Sequence, residues 1–144
     1  TSGITSFRSS SDNPGHSDFI ISNDDWRTSQ NDNLWQGVNG TNNPCPSGFR
    51  LPTLVEWEYE LQSWNSNSSY GAFYSPLKLP EPGYRTYTKN ANNYGTYIQF
   101  TRGFYWSSTV NYNNSARLWF HTHYAEPDYH HERSVGGSVR CIKD

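Results

Sequence analysis

The residues best equipped for chemistry crowd into one late stretch of the chain. Ala116-Arg117-Leu118-Trp119-Phe120-His121-Thr122-His123-Tyr124 alternates in character. The two-residue period of a strand puts Ala116, Leu118 and Phe120 on one face and Arg117, Trp119, His121 and His123 on the other. The first face is core. The second is a row of a cation, an indole and two imidazoles, too rich for an ordinary solvated surface. The flanks continue it, with Tyr112 and Asn114 before and Glu126, Asp128, Tyr129, His130 and His131 after. Such side chains give a binding surface contact area and adaptable hydrogen bonds at low entropic cost. The sequence therefore nominates Tyr112, Asn114, Arg117, Trp119, His121, His123, Tyr124, Asp128, Tyr129 and His130 as an outward ligand face. In that reading Trp119 and the tyrosines are anchors, and Arg117 and the histidines are polar selectors. The plainer alternative has Trp119 covering a core edge beside solvated histidines.

Other chemistries find less support in the spacing. His121, His123, His130 and His131 fall within eleven residues, yet no interval matches a standard zinc motif. Asp12, Asp18, Asp24, Asp25 and Asp32 stand among Asn-rich loops that could supply oxygen ligands to calcium, although without the spacing of an EF-hand. There is no nucleophile elbow and no phosphate loop. No catalytic residue is assigned, and the chain is not read as an enzyme.

These side chains need a scaffold, and 144 residues suffice for one domain. Its apolar surface is mainly aromatic, from six Trp, eleven Tyr and seven Phe, each able to bury ~150–250 Å². The net charge of −2 offers nothing to nucleic acid. No apolar run approaches the ~20 residues of a membrane span. The chain begins without Met or a signal-like segment, and is expected to be a piece of a longer exported protein. Cys45 and Cys141, the only two cysteines, have no second Cys or His at metal-ligand spacing, which favours a disulfide and an extracytoplasmic location. The alternative is a pair of free thiols in a reducing compartment.

The stretch from Cys45 to Trp64 organises the scaffold. Thr53 and Glu56 have the spacing of a capping box. Leu54, Trp57, Leu61 and Trp64 then form one stripe of a helix, which must pack on something large and flat. A sheet is the expected partner. Residues 1–17 read as a linker or irregular arm, and 18–144 as a single domain. Phe19-Ile20-Ile21 reads as a short strand, and the Asn/Asp-dense stretch 22–47 as ordered loops pinned by Trp26, Leu34, Trp35 and Val38. Gly71 to Leu79, interrupted by Pro76, reads as an edge strand at best. Tyr84 to Thr88 and Tyr94 to Phe100 read as a hairpin across Asn90 to Asn93. Arg102 to Thr109 begins a further strand, and Gly136 to Ile142 reads as a central one.

Several of these segments carry a resemblance. Cys45-Pro46-Ser47-Gly48-Phe49-Arg50-Leu51-Pro52-Thr53 with Glu56-Trp57, then Ser75-Pro76-Leu77-Lys78-Leu79-Pro80, Gly83-Tyr84-Arg85, Tyr105-Trp106-Ser107-Ser108-Thr109 and Gly137 to Asp144 resemble the FISUMP family of bacterial surface domains over residues 24 to 144. That family is similar to a wider group with the C-type-lectin-like fold, including formylglycine-generating enzymes and the variable proteins of diversity-generating retroelements. The resemblance implies an α+β domain with short antiparallel strands, one or two helices and much ordered loop. It implies that the first and last strands pair near the termini, and that residues 111–131 form an exposed ligand face. The mix of Asn, Tyr, His and Asp there is similar to that of the retroelement variable proteins. Two departures bear on chemistry. Glu81-Pro82-Gly83 and Trp106-Ser107-Ser108 stand where a sugar-binding lectin would carry calcium ligands, and both cysteines fall in structural motifs rather than in a copper-binding pair.

The expectation is a ligand- or receptor-binding module at the tip of an exported bacterial or phage-like adhesin, extracellular or on the cell surface. It would bind protein or glycan on a target surface, with a possible homo-oligomer through a parent fibre. Nucleic acid and membrane insertion are not expected. The alternatives are a structural cap or oligomerisation domain of a surface fibre, and an enzyme related to the formylglycine-generating group.

Overall fold

Leu54, Trp57 and Leu61 form one helical stripe, Trp64 packs into the same core from just past the helix end, and the surface beneath is a sheet. The computed structural model describes residues 3–87, 89–90, 93–94, 97–98 and 102–144. Strands β1 (Ile4–Thr5), β2 (Phe19–Ile20) and β3 (Phe49–Arg50) precede helices α1 (Leu54–Gln62) and α2 (Ser69–Tyr74). Four two-residue strands follow: β4 (Tyr84–Arg85), β5 (Lys89–Asn90), β6 (Asn93–Tyr94) and β7 (Tyr97–Ile98). The long strands β8 (Gly103–Asn111), β9 (Asn114–His121) and β10 (Tyr124–Glu132) come next, and β11 (Ile142–Lys143) ends the chain. The architecture is α+β, with its strands in small, mostly antiparallel sheets.

The capping box at α1 is present in full. Thr53 Oγ1 accepts from the Glu56 N–H at 3.3 Å, and the Glu56 carboxylate accepts from the Thr53 N–H at 2.7 Å. Arg50 adds a two-pronged grip, each guanidinium nitrogen 2.8 Å from a Glu56 oxygen. That grip, more than the Thr53 bonds, holds the Glu56 carboxyl at about 2, well below its ordinary value.

β8, β9 and β10 form an antiparallel meander, ordered β10-β9-β8. Its two faces are both covered. On one, Tyr105, Leu118, Phe120 and Ala125 pack with Trp57, Trp64, Ala72 and Leu79. On the other, Phe104, Trp106 and Trp119 pack with Leu51 and Val135, and Trp35, Tyr84, Tyr87 and Val139 close over them. β10 is the outer strand; Pro127 sits within it opposite Leu118, and the register slips between Asp128 and His131. The disulfide joins Cys45 to Cys141 across a separation of 96 residues, with Cα atoms 5.7 Å apart. Among the described residues no helix is long and apolar enough to cross a membrane.

Four expectations are revised. Residues 69–74 form α2 rather than an edge strand. Their aromatic content mimics a strand, but Gly71 sits so close to the Ser66 carbonyl that a side chain could not be accommodated, and Pro76 lies just beyond the helix end. Gly136 to Ile142 is not a continuous strand: Gly136 makes an isolated bridge to Arg85 and Ser138 one to Tyr105, the latter exchanging backbone bonds with Phe104 and Trp106 at 3.0 and 2.9 Å. Gly137 crosses Phe104 so tightly that a Cβ would stand 2.4 Å from the ring. The last strand, β11, pairs with β3, while β1 pairs in parallel with β2. The arm is irregular but docked: beyond the β1–β2 pairing, the Arg8 guanidinium donates to the Arg27 carbonyl at 2.7 Å. Of the hairpin expected across Asn90 to Asn93, β5 pairs with β6 and β4 with β7; its Thr88, Ala91, Asn92, Gly95, Thr96, Gln99 and Phe100 lie outside the described residues.

Candidate functional site

The alternation in β9 is as the sequence indicates, but its second face does not look outward. Trp119 is 9 % exposed and belongs to the second core cluster. The Arg117 side chain is 12 % exposed, its guanidinium carbon 4.7 Å from the Phe104 ring centre and 4.4 Å from that of Trp119. Asp128 stands opposite Arg117 on β10, and its Oδ2 accepts from Arg117 Nε and Nη2 at 3.1 and 2.9 Å. Arg117, Trp119 and Asp128 are thus interior supports, not a displayed row. The cause is the cover supplied by Tyr84, Tyr87 and residues 135–139, which turns a half-solvated strand into one buried on both sides. Burial lowers the Arg117 pKa against the pull of Asp128. His131, beside Phe104 at 5.1 Å between ring centres, is likewise lowered, by burial first and by Arg117 second.

The other nominated residues are exposed or half-buried, and they do not form one patch. His121, His123 and Tyr124 cluster at the β9–β10 turn, with ring centres 6.4 Å apart for the two histidines and 6.0 Å for His121 and Tyr124. The Tyr124 hydroxyl donates to Glu126, a bond that raises its pKa. Tyr112, 87 % exposed, sits at the β8–β9 turn with Asn114 nearby. At about 3.4 Å per residue, the length of β9 separates the two ends by roughly 24 Å. Tyr129 and His130 lie toward the Tyr112 end, where the Asn111 side chain donates to the Tyr129 carbonyl at 3.4 Å. Among the described residues no three His, Cys, Asp or Glu side chains group to hold a metal. Of the five loop aspartates considered for calcium, three pair with arginines: Asp12 with Arg27, and Asp25 and Asp32 with Arg133.

That last pairing borders a feature the sequence did not reveal. A cavity of about 290 Å³ lies between the 14–42 loops and the sheet. Trp106, Ile20 and Val135 are its buried floor, while Trp26, Trp35 and Phe19 are half-buried walls. Asp18 and Asn42 are exposed, so the mouth lies on their side. Two charged groups border it. Asp25 is 5 % exposed; its Oδ1 accepts from the Arg27 N–H at 2.9 Å, but its Oδ2 has no hydrogen-bond partner. The Arg133 side chain is 8 % exposed, and its Nη1 reaches only to 3.8 Å from that oxygen. Arg133 Nη2 donates to Asp32 at 2.6 Å and to the Tyr112 carbonyl at 3.1 Å, and its Nε has no partner. The Gln30 side chain also donates to Asp32 and, ahead of Arg133, lowers its pKa.

An unpaired buried polar atom costs about 1–3 kcal/mol. Trp35 adds backbone strain of similar order, because its φ of 63° is unusual for a bulky residue. An aromatic-walled cavity is the form that small-molecule sites commonly take. Its trace in the sequence is the isolated Trp26, Leu34 and Trp35 in an Asn/Asp-dense stretch. Its other wall, at Arg133, lies some hundred residues on, beyond the reach of pattern. No family model, curated protein or solved structure matches the chain.

Proposed function

We propose that this chain is a non-catalytic ligand-binding module of an exported or surface protein, built on a C-type-lectin-like scaffold of the FISUMP type. The ligand enters the cavity between the 14–42 loops and the sheet instead of lying along a row on β9. What supports this most is the cavity itself: about 290 Å³, walled by indole and phenyl rings, with Asp25 and Arg133 among its lining residues. The Cys45–Cys141 bridge supports an oxidising location. A ligand-observed NMR screen of ring-sized probes tests the reading with the native chain and with Val110→Trp, which fills the cavity. Binders of the native chain should lose binding in the variant; retained binding overturns the assignment.

A second reading, a cap that contacts a neighbouring subunit of a fibre, draws on a different surface. Tyr70, Phe73 and Tyr74 on α2 are exposed, with Tyr74 tilted against Tyr70 and edge-on to Phe73 at ring-centre distances of 4.4 and 5.3 Å. An aromatic cluster of this kind suits a protein neighbour. Size-exclusion chromatography separates the two readings: a monomer favours the ligand module, an obligate trimer the cap.

A further inference from the structure

The lining of the cavity narrows the chemistry of its ligand. We infer that the ligand is an uncharged, fused-ring aromatic molecule the size of indole, held by ring contacts and not by charge. This rests on the cavity being the binding site.

The polar groups of the lining are already engaged with the protein. Ser134 Oγ donates to the Ser22 carbonyl at 2.6 Å and Ser108 Oγ to the Pro52 carbonyl at 3.4 Å, while Ser107 Oγ accepts from the Thr109 N–H at 3.0 Å. The Gln36 side chain donates to the Ser108 carbonyl at 2.6 Å, and that of Asn42 to the Asp12 carbonyl at 2.7 Å. Asp25 and Arg133 answer each other, with Arg133 Nη1 3.8 Å from Asp25 Oδ2. The unbonded Asp25 Oδ2 and Arg133 Nε are sealed from solvent, and so from a ligand. An anion entering the cavity therefore meets a guanidinium whose charge Asp25 and Asp32 already balance. A cation finds ring faces, but Arg133 balances Asp25 in the same way, and Asp18 lies out at the exposed mouth, where an ion pair is worth little. Either ion would give up water with nothing inside to replace it, a cost that an uncharged ring does not carry. What the cavity does offer is rings: Phe19, Trp26, Trp35 and Trp106 line it, and aromatic neighbours gain from offset or edge-on contact beyond the area they bury. Volume sets the size. A dry apolar cavity of about 150 Å³ takes benzene, so about 290 Å³ has room for a second, fused ring.

The test titrates the native chain at pH 7 with tryptophol, tryptamine, indole-3-acetate and 2-phenylethanol, followed by protein-observed NMR on the tryptophan indole N–H signals. The first three share one fused ring and differ in charge; the last keeps the alcohol of tryptophol on a single ring. Tryptophol is expected to bind at least roughly tenfold more tightly than the amine or the carboxylate. It should exceed 2-phenylethanol about fivefold, the gain expected from its extra ring atoms. Both preferences should vanish in Val110→Trp, or in Ser115→Phe if the first variant does not fold, since both positions line the cavity. A charged probe binding as tightly as tryptophol, with loss in the filled variant, overturns the uncharged class while leaving the cavity as the site. Equal binding of 2-phenylethanol, lost in the same variant, overturns the fused-ring size. Binding that survives filling, or no binding by any probe at several millimolar, overturns the cavity assignment and the inference with it.

Discussion

Replacing Arg117 by Ala is the sharpest probe of how this molecule is built. The guanidinium lies against the Phe104 and Trp119 rings and donates twice to Asp128. Breaking a buried pair costs about 3–5 kcal/mol, because the surviving charge is left uncompensated. Here the two side chains keep 12 % and 22 % of their exposure, so the carboxylate recovers some water and the loss falls to about 2–3 kcal/mol. The ring contacts add about 1 kcal/mol. The sum, about 3–4 kcal/mol, is a large share of the ~5–15 kcal/mol that holds a domain together. Urea unfolding followed by tryptophan fluorescence, with the disulfide intact, reads it directly. At a slope of about 2 kcal/mol per M the midpoint should fall by roughly 1.5–2 M. The paired replacement Arg117→Met with Asp128→Leu removes both charges and keeps the volume; it should return most of the loss, since apolar packing matches such a pair. An Arg117→Ala loss below about 1 kcal/mol would refute the reasoning and restore Arg117 to the solvated face that alternation alone suggested.

Trp119→Ala should cost about 3–5 kcal/mol as a core truncation, a fall in Tm of roughly 6–20 °C in a thermal melt; an unchanged Tm would contradict its burial. Cys45→Ser with Cys141→Ser should lower stability by up to about 4–5 kcal/mol in the chain-entropy view of a 96-residue separation, measured by urea midpoint. Glu56 has a carboxyl at about 2 in the folded state against 4.5 ordinarily, so its contribution is complete above pH 4.5 and is lost as pH falls toward 2. Glu56→Gln should therefore be less stable at neutral pH and show a shallower loss between pH 5 and 2, read from urea midpoints across that range.

How much was legible depended on the range of the interaction that decided each feature. The α1 cap and stripe are local, set by residues three and four apart, and Thr53, Glu56, Leu54, Trp57 and Leu61 could be read directly. Period two along β9 was equally local and held. What lay on its second face was not local. A cation at Arg117 reads as solvent-facing until Asp128 supplies the counter-charge and Phe104 the ring beneath it, and the covering chain comes from residues 84–87 and 135–139. α2 was misread because Ala72, Phe73 and Tyr74 suit a strand as well as a turn and a half of helix. The cavity was invisible for the same reason as the second core: Asp25 and Arg133 meet only once the sheet exists.

The outer margin of the meander carries a last consequence. β10 leaves one side of its backbone without a neighbouring strand in the sheet, the kind of border onto which a second polypeptide could crystallise as a fibril. Pro127 has no N–H to offer an incoming backbone, and the slip between Asp128 and His131 breaks the even spacing that templated stacking needs. That border is therefore a poor template for a second copy of the strand, and its raggedness traces to a single imino acid and one misaligned step.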